Sequence, residues 1–386
     1  MKKSAIISTK FFIKVTMIVL SIVICLSSAW AGKEKITVMT RNLYIGAEIQ
    51  SLAGAETEEE FYAGVAAALV QMASNNFRER AVALAAEIAE KKPHLVGLQE
   101  VYDLTLNEKN PFRPFRNYLD DLLDALDDQG AFYNVAATVV NLNLNLPIGG
   151  VDVGVLDRDV ILAREDVVTQ VVPLGPLCPG SPSVDGCNYE VVAEANTPIG
   201  PIRFERGFVA VDAWVGDFQV RFFNTHLEVR NPDPNDSLSP LVQRYQAMEL
   251  VSFLSFPAPP GVPVILTGDI NSSPEDSGAI SGLNPPYRQI EDAGNVDAWT
   301  LRPFKPRGYT CCFDEDLRLP ADLYERIDVI FSSVLPSRVR AKVVGNDESD
   351  LTFSGLWPSD HAGVVARLYF KPLPMPEKPS KAKRRR

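Results

Sequence analysis

Histidine is nearly absent from this chain: three in 386 residues, alongside five cysteines and four tryptophans. No histidine or second cysteine pair stands at metal-ligand spacing, which argues against a zinc site. Positive charge is short as well, with 38 Lys and Arg against 49 Asp and Glu and a formal net charge of −11. That balance is poorly suited to capturing a polyanion by long-range attraction. Past the N-terminal segment no apolar run is long enough to cross a bilayer, and no internal repeat is visible.

The N-terminal segment itself is of another kind. Lys2, Lys3, Lys10 and Lys14 precede an apolar core from Val15 to Leu26, and Ala29-Trp30-Ala31 reads as a small-x-small cleavage site. This predicts a secretory signal peptide over 1–31, a catalytic domain over 32–370 and a basic, disordered tail over 371–386. Cys25 lacks the small residues that a lipoprotein box places before it, so no lipid anchor is expected. The mature protein is expected to be secreted or periplasmic, and a monomer. The first 31 residues hold four Lys and no acid, and the last 16 hold seven Lys/Arg and one Glu, which leaves about −21 on the body.

Four cysteines remain in the body. Cys178 and Cys187 bracket a Pro/Gly/Ser loop, where a disulfide suits an oxidising compartment; Cys311 and Cys312 are adjacent. Four cysteines allow three pairings, and the spacing does not choose between them.

What the chain does have is a set of apolar strands ending in polar groups. In Val262-Pro263-Val264-Ile265-Leu266-Thr267-Gly268-Asp269-Ile270-Asn271, a buried strand delivers an acid and an amide to its C-terminal mouth. The two side chains point the same way if the backbone stays extended, and an Asx-turn is the plain structural alternative. Lys35–Asn42 is an alternating strand ending on an amide. His94–Val101 runs into Gln99-Glu100, a carboxylate that is costly there unless it is paired or bound to metal. Asp157–Arg164 reads as a strand whose start is charged. Arg203–Val215 and Phe218–Phe223 are strands joined at Gly216-Asp217, and the second leads into Asn224-Thr225-His226-Leu227. Arg326–Phe331 and the Asp360-His361 pair before a last strand complete the set, and His94, after Pro93, reads as structural. Helices are expected over Glu58–Met72, Phe77–Lys91, Pro114–Gln129 and Leu241–Phe256, and the Asn/Leu alternation from Val139 to Pro147 suggests an exposed hairpin near the site.

Oxygen ligands without cysteine suit Mg²⁺, Mn²⁺ or Ca²⁺. With two histidines and an acid–amide pair they make a phosphoryl-transfer site. Taken in order, Asn42, Gln99-Glu100, Asn224-Thr225-His226-Leu227, Gly268-Asp269-Ile270-Asn271, Arg326-Ile327-Asp328 and Ser359-Asp360-His361 resemble the endonuclease/exonuclease/phosphatase superfamily, the deoxyribonuclease-I-like fold. The resemblance covers about residues 35–370.

The resemblance implies an α/β (α+β) fold: a four-layer α/β/β/α sandwich of two packed, mostly antiparallel sheets flanked by helices. It implies Glu100 as the metal carboxylate, Asn42 as its partner ligand and Asp360 at a possible second metal position. Asp269 would orient and deprotonate the attacking water, and Asn271 would help hold the phosphate. His361 would sit on the scissile phosphate with Asp328 behind its ring. His226 would be the other histidine, Asp157 its carboxylate partner and Arg206 a phosphate-contacting arginine. His94 departs from the family, which often carries an acid there. The implied activity is in-line hydrolysis of a phosphoester. Candidate substrates are a small or lipid head-group phosphoester or, alternatively, nucleic acid; a non-catalytic binding module is the third reading. Arg41, Arg78, Arg158 and Arg206 are the candidates for a local basic groove that a nuclease would need.

Overall fold

The structure, a computed structural model, describes residues 34–371 apart from 108–113, 149–150, 179–180, 182, 184, 231–237, 305, 319 and 321. The signal peptide and nearly all of the basic tail lie outside the described residues. The chain opens with β1 (Glu34–Asn42), α1 (Glu58–Ser74), α2 (Phe77–Lys91), β2 (Leu95–Gln99), β3 (Asp103–Asn107), β4 (Pro114–Asn117) and α3 (Tyr118–Asp128). It continues through β5 (Tyr133–Ile148), β6 (Val151–Arg164), β7 (Val168–Val171), β8 (Gly186–Asn188), β9 (Ala193–Thr197), β10 (Gly200–Phe204), β11 (Gly207–Val215) and β12 (Phe218–His226). It ends with α4 (Ser239–Leu254), β13 (Val264–Asp269), α5 (Pro286–Asp292), β14 (Val296–Asp297), β15 (Asp328–Ser332), β16 (Arg338–Val344) and β17 (Gly363–Phe370).

Two large sheets result. The first runs β16-β17-β1-β2-β6-β3-β4, with β5 also paired to β6; the second runs β14-β15-β13-β12-β11-β7, with β8 on β11. Among the described residues only β1/β2 and β12/β13 pair in parallel. Strand alternation sends side chains to both faces of each sheet, and so builds three apolar layers. Ile36, Val38 and Ile161 of the first sheet meet Val209, Phe222 and Ile265 of the second. The outer face of the first, with Met39, Val96 and Leu162, is covered by Leu84 and Ile88 of α2 and Leu122 of α3. The outer face of the second, with Phe223, Leu266 and Phe331, is covered by Leu250 of α4 and Ile290 of α5. Each such fully buried side chain contributes about 1.5–3 kcal/mol. The expected four-layer sandwich is the fold.

Local chemistry sets the helix ends. The Thr57 side chain accepts from the Glu60 N–H, and Glu58, Glu59 and Glu60 occupy the first turn of α1. Lys92 closes α2 in the left-handed region before Pro93. The helix expected from Pro114 begins only at Tyr118: Pro114–Asn117 pairs with β3, and Asn117 caps the helix by accepting from the Leu119 N–H. The strand expected over Arg203–Val215 is two strands, with Glu205 and Arg206 between them. Asp157 is not at a strand start but inside β6, opposite Leu142.

Close approaches near the site call for glycine. A Cβ on Gly268 would lie 2.3 Å from the Thr225 carbonyl oxygen, and one on Gly97 would lie 2.3 Å from Asn224 Oδ1. The space above Gly97 holds an amide stitch between the sheets. Gln99 Nε2 donates to Asn224 Oδ1 at 2.6 Å, and Asn224 Nδ2 donates to the carbonyls of Leu98 and Val160 at 2.8 and 3.2 Å.

Candidate active site

Strand direction brings the polar residues to one mouth. The parallel strands β1, β2, β12 and β13 deliver their C-terminal ends there, and the antiparallel β15 and β17 deliver their starts. Across the second sheet, His226 pairs in register with Asp269, and Asp269 with Asp328. From the first sheet come Asn42, Glu100 just past β2, and Asp360-His361 just before β17. The backbone turns sharply here: Glu100 has φ 57° and Asn271 φ 48°, both in the left-handed region. Asn271 tolerates that conformation well; Glu100 holds it at a cost of about 1–3 kcal/mol.

Asp269 is the hub. Its Oδ2 lies 3.1 Å from Asn42 Nδ2, 3.6 Å from His226 Nε2 and 3.7 Å from His361 Nδ1. Its Oδ1 accepts from the Asn271 N–H at 3.0 Å. The strand therefore does not stay extended; an Asx-turn forms and still brings both side chains to the site. Asn271 Nδ2 donates to the Leu227 carbonyl at 3.0 Å and lies 3.2 Å from His226 Nε2. Burial pushes the Asp269 carboxyl up to about 7, with His361 opposing the rise and Asp328 adding to it.

The histidines are held in opposite states. Arg206 Nη1 lies 3.1 Å from His226 Nδ1. Because arginine only donates, that ring nitrogen accepts, which leaves a neutral imidazole with its proton on Nε2, facing Asp269, and makes the Asn271 amide nitrogen a close neighbour of Nε2 and not its hydrogen-bond partner. Burial, then Arg206 and His361, hold His226 well below the usual histidine range. His361 Nδ1 instead lies 2.9 Å from Asp328 Oδ2. Burial alone would push this ring down, but Asp328, Asp269 and Asp360 outweigh it and hold it well above that range. Its Nε2 has no hydrogen-bond partner among the described residues.

Three expected roles change. Asp157 does not reach His226; Arg206 stands between them, 3.8 Å from Asp157 Oδ2 and 3.6 Å from Glu228 Oε2. Placed inside β6, Asp157 lies beside Asp159, and burial pushes its carboxyl up to about 7 against the pull of Arg206. Arg206 is itself half-buried between these acids and His226, so its guanidinium is turned to them and not out toward a phosphate. Asn42 also differs: its Nδ2 donates to Glu100 Oε1 at 2.9 Å as well as to Asp269, and its Oδ1 accepts from the Tyr44 N–H at 2.9 Å. The amide nitrogen faces the carboxylates, so holding a cation through Oδ1 requires the amide to turn over.

The donor set still fits a hard divalent cation. Asp269 and Asp328 bring carboxylate oxygens within 4.8 Å of each other beside His361, which in its charged state is not a metal ligand. Asp328 Oδ1 is buried without a hydrogen-bond partner among the described residues. Glu100 Oε2 is fixed by the Ile45 N–H at 3.0 Å, and burial raises Asp360 to about 6, with Glu100 adding to the rise. Carboxylates crowded this way call for a cation, and oxygen donors select Mg²⁺, Mn²⁺ or Ca²⁺. Cys311 and Cys312 also come near His361 in space, but their sulfurs are bonded to each other, as are those of Cys178 and Cys187.

Arg41 and Arg80 support the site without having been expected to, and His94 takes the structural role expected of it. Arg41 is buried against Glu87 at 3.0 Å and donates to the His361 carbonyl. Arg80 donates to the carbonyls of Leu43, Tyr44, Asn75 and Pro358, clamping the loops after Asn42 and before Asp360. His94 Nδ1 accepts from the Thr37 N–H at 2.9 Å, a structural role. The four arginines that a nuclease groove would need are each held elsewhere. Arg41 is buried, Arg206 is half-buried beside Asp157 and Glu228, Arg158 binds the Val101 carbonyl and Asn117, and Arg78 pairs with Asp121 on the surface.

Comparison with known proteins places these features. A profile of the Endonuclease/Exonuclease/phosphatase family matches residues 70–361, ending on His361. A Caenorhabditis elegans protein named "Putative neutral sphingomyelinase" is 30% identical over 171 residues; the match takes in 39% of this chain and 38% of the length of that relative. Among solved structures, an endonuclease/exonuclease/phosphatase family protein from Leptotrichia buccalis C-1013-b superposes with TM-score 0.51 at 17% identity, over 87% of this chain and 100% of its own. A family protein from Bacteroides thetaiotaomicron gives TM-score 0.51 at 18% identity, over 88% of this chain and 99% of its own. At these identities the likeness is one of fold.

Proposed function

The chain belongs to the Endonuclease/Exonuclease/phosphatase family, and from that membership we propose that it is an exported, divalent-metal-dependent hydrolase of a small or lipid head-group phosphoester. The family points to phosphoester hydrolysis in general. The observation that supports hydrolysis at this mouth is the position of Asp269, within 3.7 Å of both a neutral and a charged histidine.

The chemistry follows from those states. Asp269, with its carboxyl near 7, takes a proton from a water that attacks phosphorus in line as the ester oxygen departs. The His226 Nε2–H and the Asn271 amide orient that water and a phosphate oxygen. His361, charged and braced by Asp328, offers its Nε2–H to the developing negative charge on the phosphate. A divalent cation on Glu100, with Asp360 and a turned Asn42, would neutralise charge on the phosphate oxygens. No covalent enzyme intermediate is required.

Charge supports a small or zwitterionic substrate over duplex DNA. The body carries about −21, duplex DNA carries one charge per roughly 1.7 Å, and the candidate groove arginines are all engaged. The name of the nematode relative points the same way. The test runs methyl p-nitrophenyl phosphate, phosphatidylcholine vesicles and plasmid DNA side by side with Mg²⁺ at physiological salt, with a chain ended at Pro372 as control. Diester or phospholipid turnover is expected to exceed nicking; faster DNA cleavage that survives loss of the tail would establish the nuclease reading instead. Export is tested by fractionating cells and sequencing the mature N-terminus, expected at Gly32.

A further inference from the structure

The Asn/Leu alternation at 139–147 has no part in the chemistry above, and the fold shows where it goes. β5 and β6 form a long hairpin in which Asn143 and Asn145 face solvent while Leu142, Leu144 and Leu146 turn inward. They meet Phe61 and Val65 of α1 and Ile202 of β10 in a satellite apolar cluster, apart from the three layers of the sandwich. The cluster is not closed. It surrounds a cavity of about 80 Å³ whose only polar lining side chains among the described residues are Tyr102 and Thr197. A cavity with so few polar groups does not hold water well, and its open, narrow shape suits a chain of methylenes.

Its place decides what fits. Ile45 and Tyr102 line the cavity, and both are tied to the proposed metal carboxylate: the Ile45 N–H donates to Glu100 Oε2 at 3.0 Å, and the Tyr102 N–H to the Glu100 carbonyl at 3.1 Å. The Tyr118 hydroxyl fixes the same wall by donating to the Ile45 carbonyl at 2.6 Å. A ligand that fills both places is therefore an amphiphile, with its phosphate at the strand mouth and its hydrocarbon beyond Glu100.

We propose that this cavity binds the hydrocarbon chain of a lipid phosphoester, so that the substrate is selected by its tail as well as by its phosphate. This rests on the reading of the mouth as a phosphoesterase site. Chain length then enters kcat/KM directly, with about a fourfold gain for each methylene that is buried.

The test is a series of alkyl p-nitrophenyl phosphates, from methyl to dodecyl, that share one leaving group and one diester and are kept below their micelle concentrations. The expected result is a kcat/KM that climbs with chain length and then levels as the cavity fills. Leu144→Trp and Leu142→Trp, which project bulk into the cavity, should each flatten the climb; the dodecyl-to-methyl ratio within one protein is the readout, so a general loss of activity cancels. In a second arm, cis-parinaric acid is titrated into metal-free protein, where fluorescence should rise to one equivalent in the wild type and stay flat in both variants. A flat series with no probe binding overturns the cavity assignment and leaves the hydrolase reading standing. A climb unchanged in both variants also overturns it, since the chain would lie elsewhere. If no diester turns over with any divalent cation, the hydrolase reading fails, and the probe titration alone decides whether the cavity takes a hydrocarbon chain.

Discussion

The two histidines at the strand mouth have the same side chain, the same near-total burial and a common neighbour in Asp269, yet their surroundings drive them apart. His226, from the second sheet, meets a guanidinium and stays neutral; His361, beside the first, meets a carboxylate and stays charged. The neighbours were chosen by different means. Asp328 reaches His361 because Asp269 and Asp328 are paired in register on adjacent strands, which places both acids at the same level. Arg206 reaches His226 because the chain breaks between β10 and β11 and Gly207 pairs with His226 in register. Environment, not residue type, assigns the roles, as in other sites where neighbours split the ionisation of like groups.

The largest expected effect breaks the charged half. His361→Ala should lower kcat on the order of 10² or more while leaving the fold intact, since its loss removes a donor at the reacting phosphate. Steady-state kinetics with a thermal melt checks this, and near-wild-type turnover would mean the role belongs elsewhere. Next is the arginine of the neutral half. Arg206→Met leaves Asp157 and Glu228 buried without their cation, which should cost about 3–5 kcal/mol in urea unfolding at pH 8. A cost below about 1 kcal/mol would show the acids are already protonated there.

These two halves were not equally legible. Asn42, Glu100, His226, Asp269, Asn271, Asp328 and His361 each follow or open an apolar strand run, so their meeting at one mouth could be expected once the strands were placed in one fold. Arg206 and Asp157 also adjoin apolar runs, but the direction in which their side chains turn is not written there. Nothing in Glu205-Arg206-Gly207 tells that the guanidinium turns inward, and β6 alternates charges without showing which side is buried. The bracing contacts of Arg41, Arg80, Gln99 and Asn224 were not legible for the same reason: their partners are backbone carbonyls or side chains that only tertiary packing brings near. Pro114–Asn117 misled because an N-cap asparagine and a short edge strand read locally as the first turn of the helix that follows.

A smaller effect lies outside the mouth. Cys178→Ser with Cys187→Ser opens a short loop and should cost at most roughly 3 kcal/mol, with kcat unchanged; non-reducing peptide mapping must first show the bond. The finest test sharpens the contrast between the histidines through pH. In chelator, the folded His226 binds its proton less readily than the unfolded chain, so its contribution is present above about pH 6.5 and lost as pH falls. His361 binds its proton more readily when folded, so its contribution is present below about pH 6.5 and lost as pH rises through its folded value. His226→Gln and His361→Gln should therefore change the slope of stability against pH in opposite senses; slopes of the same sign would refute the assigned states.

Asp269 joins the two halves, and it gives the most direct test. Methyl p-nitrophenyl phosphate turnover is measured for the wild type and Asp269→Asn, each after exhaustive chelation with metal content checked and again after Mg²⁺ is restored. The account predicts activity in the wild type only when the cation is returned, and a loss of about 10²–10⁴ in the variant even with it. Full turnover in the chelated protein, or a wild-type rate in Asp269→Asn, would contradict it.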